Sequence, residues 1–144
     1  MNQVPLLIIG AGPAGLSAAY RAAEAGADVL LLERSGKAGG QLVKQTHKFF
    51  GSEKQFASTR GIHIADRLTS RLEQLPGRVT LLTDATVLGI YEDGVVTADI
   101  SGTVQKFRPS AVIFATGAYE KTLAFPGNDL PGVYGAGAVQ TLMN

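Results

Sequence analysis

The chain has 144 residues, 45% of them hydrophobic and 17% charged, with a net charge of +1 and no cysteine. This composition suits one globular domain with one core, and it excludes disulfides, thiolate metal sites and a redox dithiol within these residues. The charge balance gives no footprint for nucleic acid or an anionic membrane, and no apolar run approaches the roughly 20 residues that cross a bilayer. The start of the chain has neither a basic region nor a signal-type cleavage site, so a cytoplasmic protein is expected. His47 and His63 have no ligand cluster around them, and no metal site is expected.

Residues 4–9 predict a first strand, whose apolar end Leu6-Leu7-Ile8-Ile9 runs straight into Gly10-Ala11-Gly12-Pro13-Ala14-Gly15. Residues 13–25 predict an alanine-rich helix with Leu16, Ala19, Tyr20 and Ala23 on one face, and Gly26 stands where such a helix commonly stops. Residues 29–33 predict a second strand, Val29-Leu30-Leu31-Leu32, ending in Glu33, eighteen residues beyond Gly15. Together they form a βαβ unit carrying a dinucleotide-binding fingerprint. Gly10 permits the tight turn, Gly12 lets the backbone approach a pyrophosphate, and Gly15 lets the helix pack closely on the strand. The N–H groups at the helix start face the phosphates. Glu33 is placed to accept hydrogen bonds from the adenosine ribose and would repel a 2′-phosphate, so the ligand is FAD or NAD rather than NADP.

The loop 34–41 is too rich in glycine to be a helix, and the segment that follows it, to residue 56, has no clear period. Residues 59–75 predict a second helix, with Ile64, Leu68, Leu72 and Leu75 on one face, Ser58 or Thr59 as its cap, and Pro76-Gly77 as its stop. A third strand is predicted at 79–82. Instead of another helix, three short strand-like runs follow at 86–91, 95–100 and 103–107, joined by turns at Glu92-Asp93-Gly94 and Ser101-Gly102. Val96, Ala98 and Ile100 alternate with Thr97 and Asp99, the pattern of a half-exposed antiparallel strand. Residues 111–115 predict a separate buried strand running into Thr116-Gly117. The expected fold is α/β: a Rossmann-like domain with a parallel sheet and a three-stranded antiparallel crossover, over residues 1–124. Residues 125–144 are expected to be a linker. Gly135-Ala136-Gly137 is not a second fingerprint, because Gln140 stands at the third glycine position and no apolar strand precedes it.

Three features favour FAD over NAD: the antiparallel crossover, the Ala115-Thr116-Gly117 turn and the Gly39-Gly40-Gln41 loop. In these residues the chain resembles the N-terminal FAD-binding segment of the pyridine nucleotide-disulfide oxidoreductase superfamily, nearest its thioredoxin reductase-like and amine or opine dehydrogenase-like members. The resemblance covers residues 4–144. It implies that Gly10, Gly12, Pro13 and Ala14 hold the FAD pyrophosphate and that Glu33 holds the ribose, with Arg34 beside it in the cofactor-binding set. It implies that Gly40, Gln41 and Thr46 reach toward the flavin, that the backbone at Thr86 and Val87 contacts the adenine, and that Ala115, Thr116 and Gly117 pass near the cofactor. The run 117–121 resembles the exit toward a next domain. His47 and Lys48 read as a solvated loop near the flavin end, and Phe49 and Phe50 serve equally as core or as a flavin shield.

The chain departs from that family in three ways. The 39–41 loop leads into no cysteine pair, no nicotinamide-binding domain is present, and the late Gly-Asp segment that completes the FAD site is missing. The expectation is therefore the FAD-binding segment of a flavin-dependent oxidoreductase that passes a hydride between NAD(P)H, or a small organic substrate, and FAD. NAD(P)H would enter through a domain not in this chain, and the partner is that missing domain or another subunit. The alternative is a stand-alone FAD- or ADP-binding module without turnover; an NAD-binding dehydrogenase domain is a third reading, which the antiparallel crossover argues against. No catalytic acid or base is assigned. Apolar surface left where absent segments dock would favour a homo-oligomer.

Overall fold

The computed structural model describes residues 1–49 and 51–143; Phe50, one of the two candidate flavin-shielding rings, lies outside the described residues. The elements in chain order are β1 (Asn2–Ile9), α1 (Pro13–Glu24), β2 (Val29–Leu32), two short 3-10 turns (Gly40–Lys44 and Glu53–Gln55), α2 (Gly61–Glu73), β3 (Val79–Leu82), β4 (Ala85–Ile90), β5 (Val96–Ile100), β6 (Thr103–Phe114) and α3 (Ala136–Met143). They build one six-stranded sheet in the order β3-β2-β1-β6-β5-β4. β3, β2, β1 and β6 run parallel, and β6, β5 and β4 pair antiparallel. This is the expected Rossmann-like α/β architecture with its antiparallel crossover.

The sheet carries a core on each face because β2 and the Leu6–Ile9 half of β1 are apolar at every position. Ile8, Val29 and Leu31 pack under α1 and α2 with Leu16, Ala19, Ile64, Leu68 and Leu72. Leu7, Ile9, Leu30 and Leu32 point the other way, onto Ala85, Val96, Ala98 and Phe107 of the antiparallel strands. The crossover is thus folded back as the second covering layer, where many α/β sheets place a helix.

Four local expectations change. The predicted runs 103–107 and 111–115 form one continuous strand, β6, which pairs with β5 at its start and with β1 from Phe107 to Phe114. Pro109 interrupts the sequence pattern without breaking the strand. Among the described residues β6 has no strand neighbour opposite β1 from Arg108 onward, and an open edge is where a residue lacking N–H is tolerated. α2 starts at Gly61 with Arg60 at the cap and no side-chain cap, rather than at Ser58 or Thr59. The Gln45 carbonyl accepts the Ile62 N–H instead, and Gly61 is packed so tightly there that a Cβ would meet Gln45 Cβ at 2.7 Å. The glycine-rich loop does wind into a turn, the 3-10 segment beginning at Gly40. In β5, Thr97 is buried together with Val96 and Ala98, because strands flank it on both sides.

Candidate dinucleotide site

The strand order reverses direction at β1, which lies between β2 and β6, and the glycine turn sits at the C-terminal end of β1. This is the crevice where open α/β sheets bind ligands. The turn is fastened on three sides. Gly10 N–H donates to the Leu32 carbonyl at 2.8 Å, the Ala11 carbonyl accepts the Gly39 N–H at 2.7 Å, and Ala11 N–H donates to Glu33 Oε2 at 2.8 Å. Gly10 adopts φ +98°, and a Cβ there would meet the Ala115 carbonyl oxygen at 2.5 Å. A Cβ on Gly15 would overlap the Gly10 carbonyl oxygen, so helix and turn meet backbone to backbone. Gly12 is different: a Cβ there would find only Gly40 Cα, at 3.9 Å. Packing among the described residues does not demand its glycine, and the backbone there is open to close approach.

Gly12 caps α1 without a side-chain cap, Pro13 occupies the first helical turn, and no acidic residue stands in that turn. The leading N–H groups, that of exposed Ala14 among them, are therefore not neutralised by the protein's own carboxylates, which suits an anion at the helix start. Glu33 is 7% exposed, and its second oxygen, Oε1, accepts the Ser35 N–H at 2.9 Å. The carboxylate thus ties the glycine turn to the exit of β2. Each carboxylate oxygen accepts more than one hydrogen bond, so capacity for two hydroxyl donors remains.

A cleft of about 390 Å³ gathers seven of the predicted residues, Gly10, Glu33, Arg34, Thr86, Val87, Thr116 and Gly117. Ala115 closes the turn from behind, its N–H donating to the Ile9 carbonyl at 2.9 Å. Gly12, Pro13, Ala14, Gly40, Gln41 and Thr46 do not line that cleft. Gly40 is nonetheless drawn against the glycine turn, where a Cβ would meet Gly12 Cα at 2.8 Å, and Gln41 is exposed beside it. Thr46 lies exposed two residues beyond that 3-10 segment. The His47 ring stands 4.9 Å from that of Phe49. The cleft also recruits Ala118 and Tyr119, which the residue pattern did not place in the site. Their signal was their position, directly after Thr116-Gly117. Among the described residues no cluster of acidic and histidine side chains could hold a metal, and no helix is long and apolar enough to cross a membrane.

The residues present fit a dinucleotide: an open glycine at the helix start, uncapped N–H groups, and a buried carboxylate at the head of the cleft. Comparison with known proteins agrees. The family model of pyridine nucleotide-disulphide oxidoreductases matches residues 4–142. The chain is 34% identical to the alpha subunit of sarcosine oxidase from Corynebacterium sp. (strain P-1), over 96% of this chain and 15% of that protein. It is 31% identical to an opine oxidase subunit of Agrobacterium tumefaciens (strain Ach5), over 94% of this chain and 28% of that protein. It superposes on L-proline dehydrogenase from P. horikoshii with a TM-score of 0.85 at 26% identity, over 99% of this chain and 28% of that one. Its residues therefore span less than a third of these relatives' lengths. The chain belongs to the pyridine nucleotide-disulphide oxidoreductase family, a family of flavin-dependent oxidoreductases.

Proposed function

We propose that this chain holds FAD for a cytoplasmic flavin-dependent oxidoreductase, with residues 1–124 as the FAD-binding domain and 125–144 as a linker toward a nicotinamide-binding domain or partner subunit. The carrying observation is the cleft at the end of β1, where the Glu33 carboxylate, the glycine turn, Thr86-Val87 and Thr116-Gly117 border one space. In this reading Gly10, Gly12, Pro13 and Ala14 hold the pyrophosphate by backbone N–H groups and close approach. Glu33 accepts from the ribose hydroxyls, with Arg34 next to it, and the Thr86 and Val87 backbone meets the adenine. Gly40, Gln41 and Thr46 extend toward the flavin, and Ala115, Thr116 and Gly117 run beside the cofactor. Bound FAD supplies two-electron redox chemistry, while the chain binds and orients it.

The overall reaction proposed is hydride exchange with NAD(P)H, reached through a domain outside these residues, or with a small organic substrate. The relatives favour the second donor: sarcosine and L-proline, in their names, are small amino acids with a secondary amine. The partner reading is supported by the curated relatives being subunits. It is also supported by the apolar strip on β6, where Ile113 and Phe114 are 38% and 65% exposed.

The visible spectrum of the purified chain, titrated with FAD and separately with NAD, tests this reading. Saturable flavin binding is expected, and Glu33→Ala is expected to weaken it by about 1–3 kcal/mol through loss of a charged acceptor. Binding of NAD with no binding of FAD, or an unchanged FAD affinity in Glu33→Ala, overturns it.

A further inference from the structure

A second cavity, of about 430 Å³, shares no lining residue with the dinucleotide cleft. It lies between α1, α2, Phe49 and residues 54–56. Its floor is apolar and belongs to the core: Leu42, Ile64 and Leu68 are all buried. Its rim is cationic and aromatic. The Arg71 guanidinium carbon stands 4.7 Å from the centre of the Phe56 ring and 5.9 Å from that of Tyr20. Stacking of this kind occupies the flat face of the guanidinium and leaves its in-plane N–H donors for a planar anion.

The charges around the rim are unevenly committed. Arg21 is engaged by Glu24 at 2.6 Å. Among the described residues, Arg71 and Lys54 have no carboxylate partner. Phe56 adopts φ 62° and ψ 39°, the left-handed region, which a bulky aromatic residue enters only at a cost. That backbone holds its ring at the rim beneath Arg71. Strain, an uncommitted guanidinium and an apolar floor converge on one place, which meets the proposed pyrophosphate-binding set only at Pro13.

The geometry points to a binding site for a small amphipathic carboxylate, its head on the Arg71 fork and its carbon body on the Leu42, Ile64 and Leu68 floor, independent of the dinucleotide cleft. The volume falls in the range of small-molecule sites, and the pairing of a planar bidentate cation with an apolar floor selects one negative head on a hydrocarbon body. A ribose and its phosphates would set polar groups against leucine side chains, so a nucleotide is a poor occupant.

Calorimetric titration of octanoate into the full chain, with 1-octanol as the uncharged control, tests the site. Octanoate is expected to bind saturably and about tenfold tighter than octanol, the contribution of a charge-assisted hydrogen-bond pair. Arg71→Ala is expected to lose that tenfold, and Arg71→Lys, which keeps the charge without the fork, to fall between. Lys54→Ala, at an exposed position, is expected to weaken octanoate a few-fold with an unchanged melting temperature. Absence of saturable octanoate binding, or equal octanoate affinity in Arg71→Lys, Lys54→Ala and the unmodified chain, overturns the proposal. FAD titration of the same samples reports on the other cleft and is expected to be unchanged.

Discussion

β1 and β6 are neighbours in one ladder with nearly the same side chains, yet they live in different environments. Across their parallel register Leu7 pairs with Val112, Ile8 with Ile113 and Ile9 with Phe114. On β1 these residues are 0%, 0% and 8% exposed, whereas Ile113 and Phe114 are 38% and 65% exposed. The strand-forming tendency is the same on both; the layers differ. α1 and α2 cover one face of β1 and the folded-back crossover covers the other, while among the described residues the end of β6 pairs with β1 alone and stays exposed. An apolar run therefore specifies a strand, and the elements around it decide whether that strand becomes core. On β6 no such second layer is formed among the described residues.

The largest expected effect tests the buried side of that comparison. Ile8→Ala removes most of a branched side chain from a site that cannot collapse, and is expected to cost about 3–4 kcal/mol in chemical denaturation. A cost under about 1 kcal/mol would show that the sheet centre is as loosely covered as β6. Glu33→Ala comes next. It strips the acceptor from the Ala11 and Ser35 N–H groups, of which the bond to Ala11 is buried. About 2 kcal/mol of stability should be lost even without ligand, since an orphaned buried donor costs that much. A variant with weakened FAD binding and unaltered stability would assign Glu33 to the ligand alone.

Much of the dinucleotide end was legible because its determinants are local. Strand, glycine turn, helix and terminal carboxylate lie within thirty residues and have fixed spacing. The amphipathic face of α2 was legible for the same reason: Ile64, Leu68 and Leu72 are buried at the predicted steps. What escaped depended on partners distant in sequence. The start of α2 is set by Gln45, not by a neighbouring hydroxyl. The continuity of β6 through Pro109 follows from its open edge, which no local pattern reveals. That Glu33 also binds Ala11 and Ser35 could not be read from its spacing, which pointed only at a ligand. The second cavity was invisible because its rim is assembled from Tyr20, Lys54, Phe56 and Arg71, which come together only in the fold.

On the exposed side of the comparison, Ile113→Ala should cost less than half as much as Ile8→Ala. Its side chain is 38% exposed and gives up only part of its burial, so a change of about 1–1.5 kcal/mol is expected in the same denaturation series. The same substitution should act more strongly once the covering segment or partner is present, because the strip would then be interior. An equal, small effect in the assembled enzyme would mean that β6 stays open there too.

The smallest effect concerns the arm beyond β6, where no residue from 116 to 143 is buried and order must come from polar contacts. One such contact closes the arm on itself: the Glu120 carboxylate accepts the Ala136 and Gly137 N–H groups, each at 2.9 Å, at the start of α3. A Cβ at Gly135 would meet that carboxylate, so in this structure the N–H groups of the Gly135-Ala136-Gly137 run face an internal anion. Glu120→Ala is therefore expected to speed amide exchange at Ala136 and Gly137 by roughly two- to fivefold, the worth of an exposed anion at a helix start. The unfolding midpoint should stay where it is, because the core of β1 and β2 takes no part in the contact. If the midpoint falls with Glu120→Ala, the arm is coupled to the sheet, and the contrast between a buried β1 and an exposed stretch from β6 onward no longer holds.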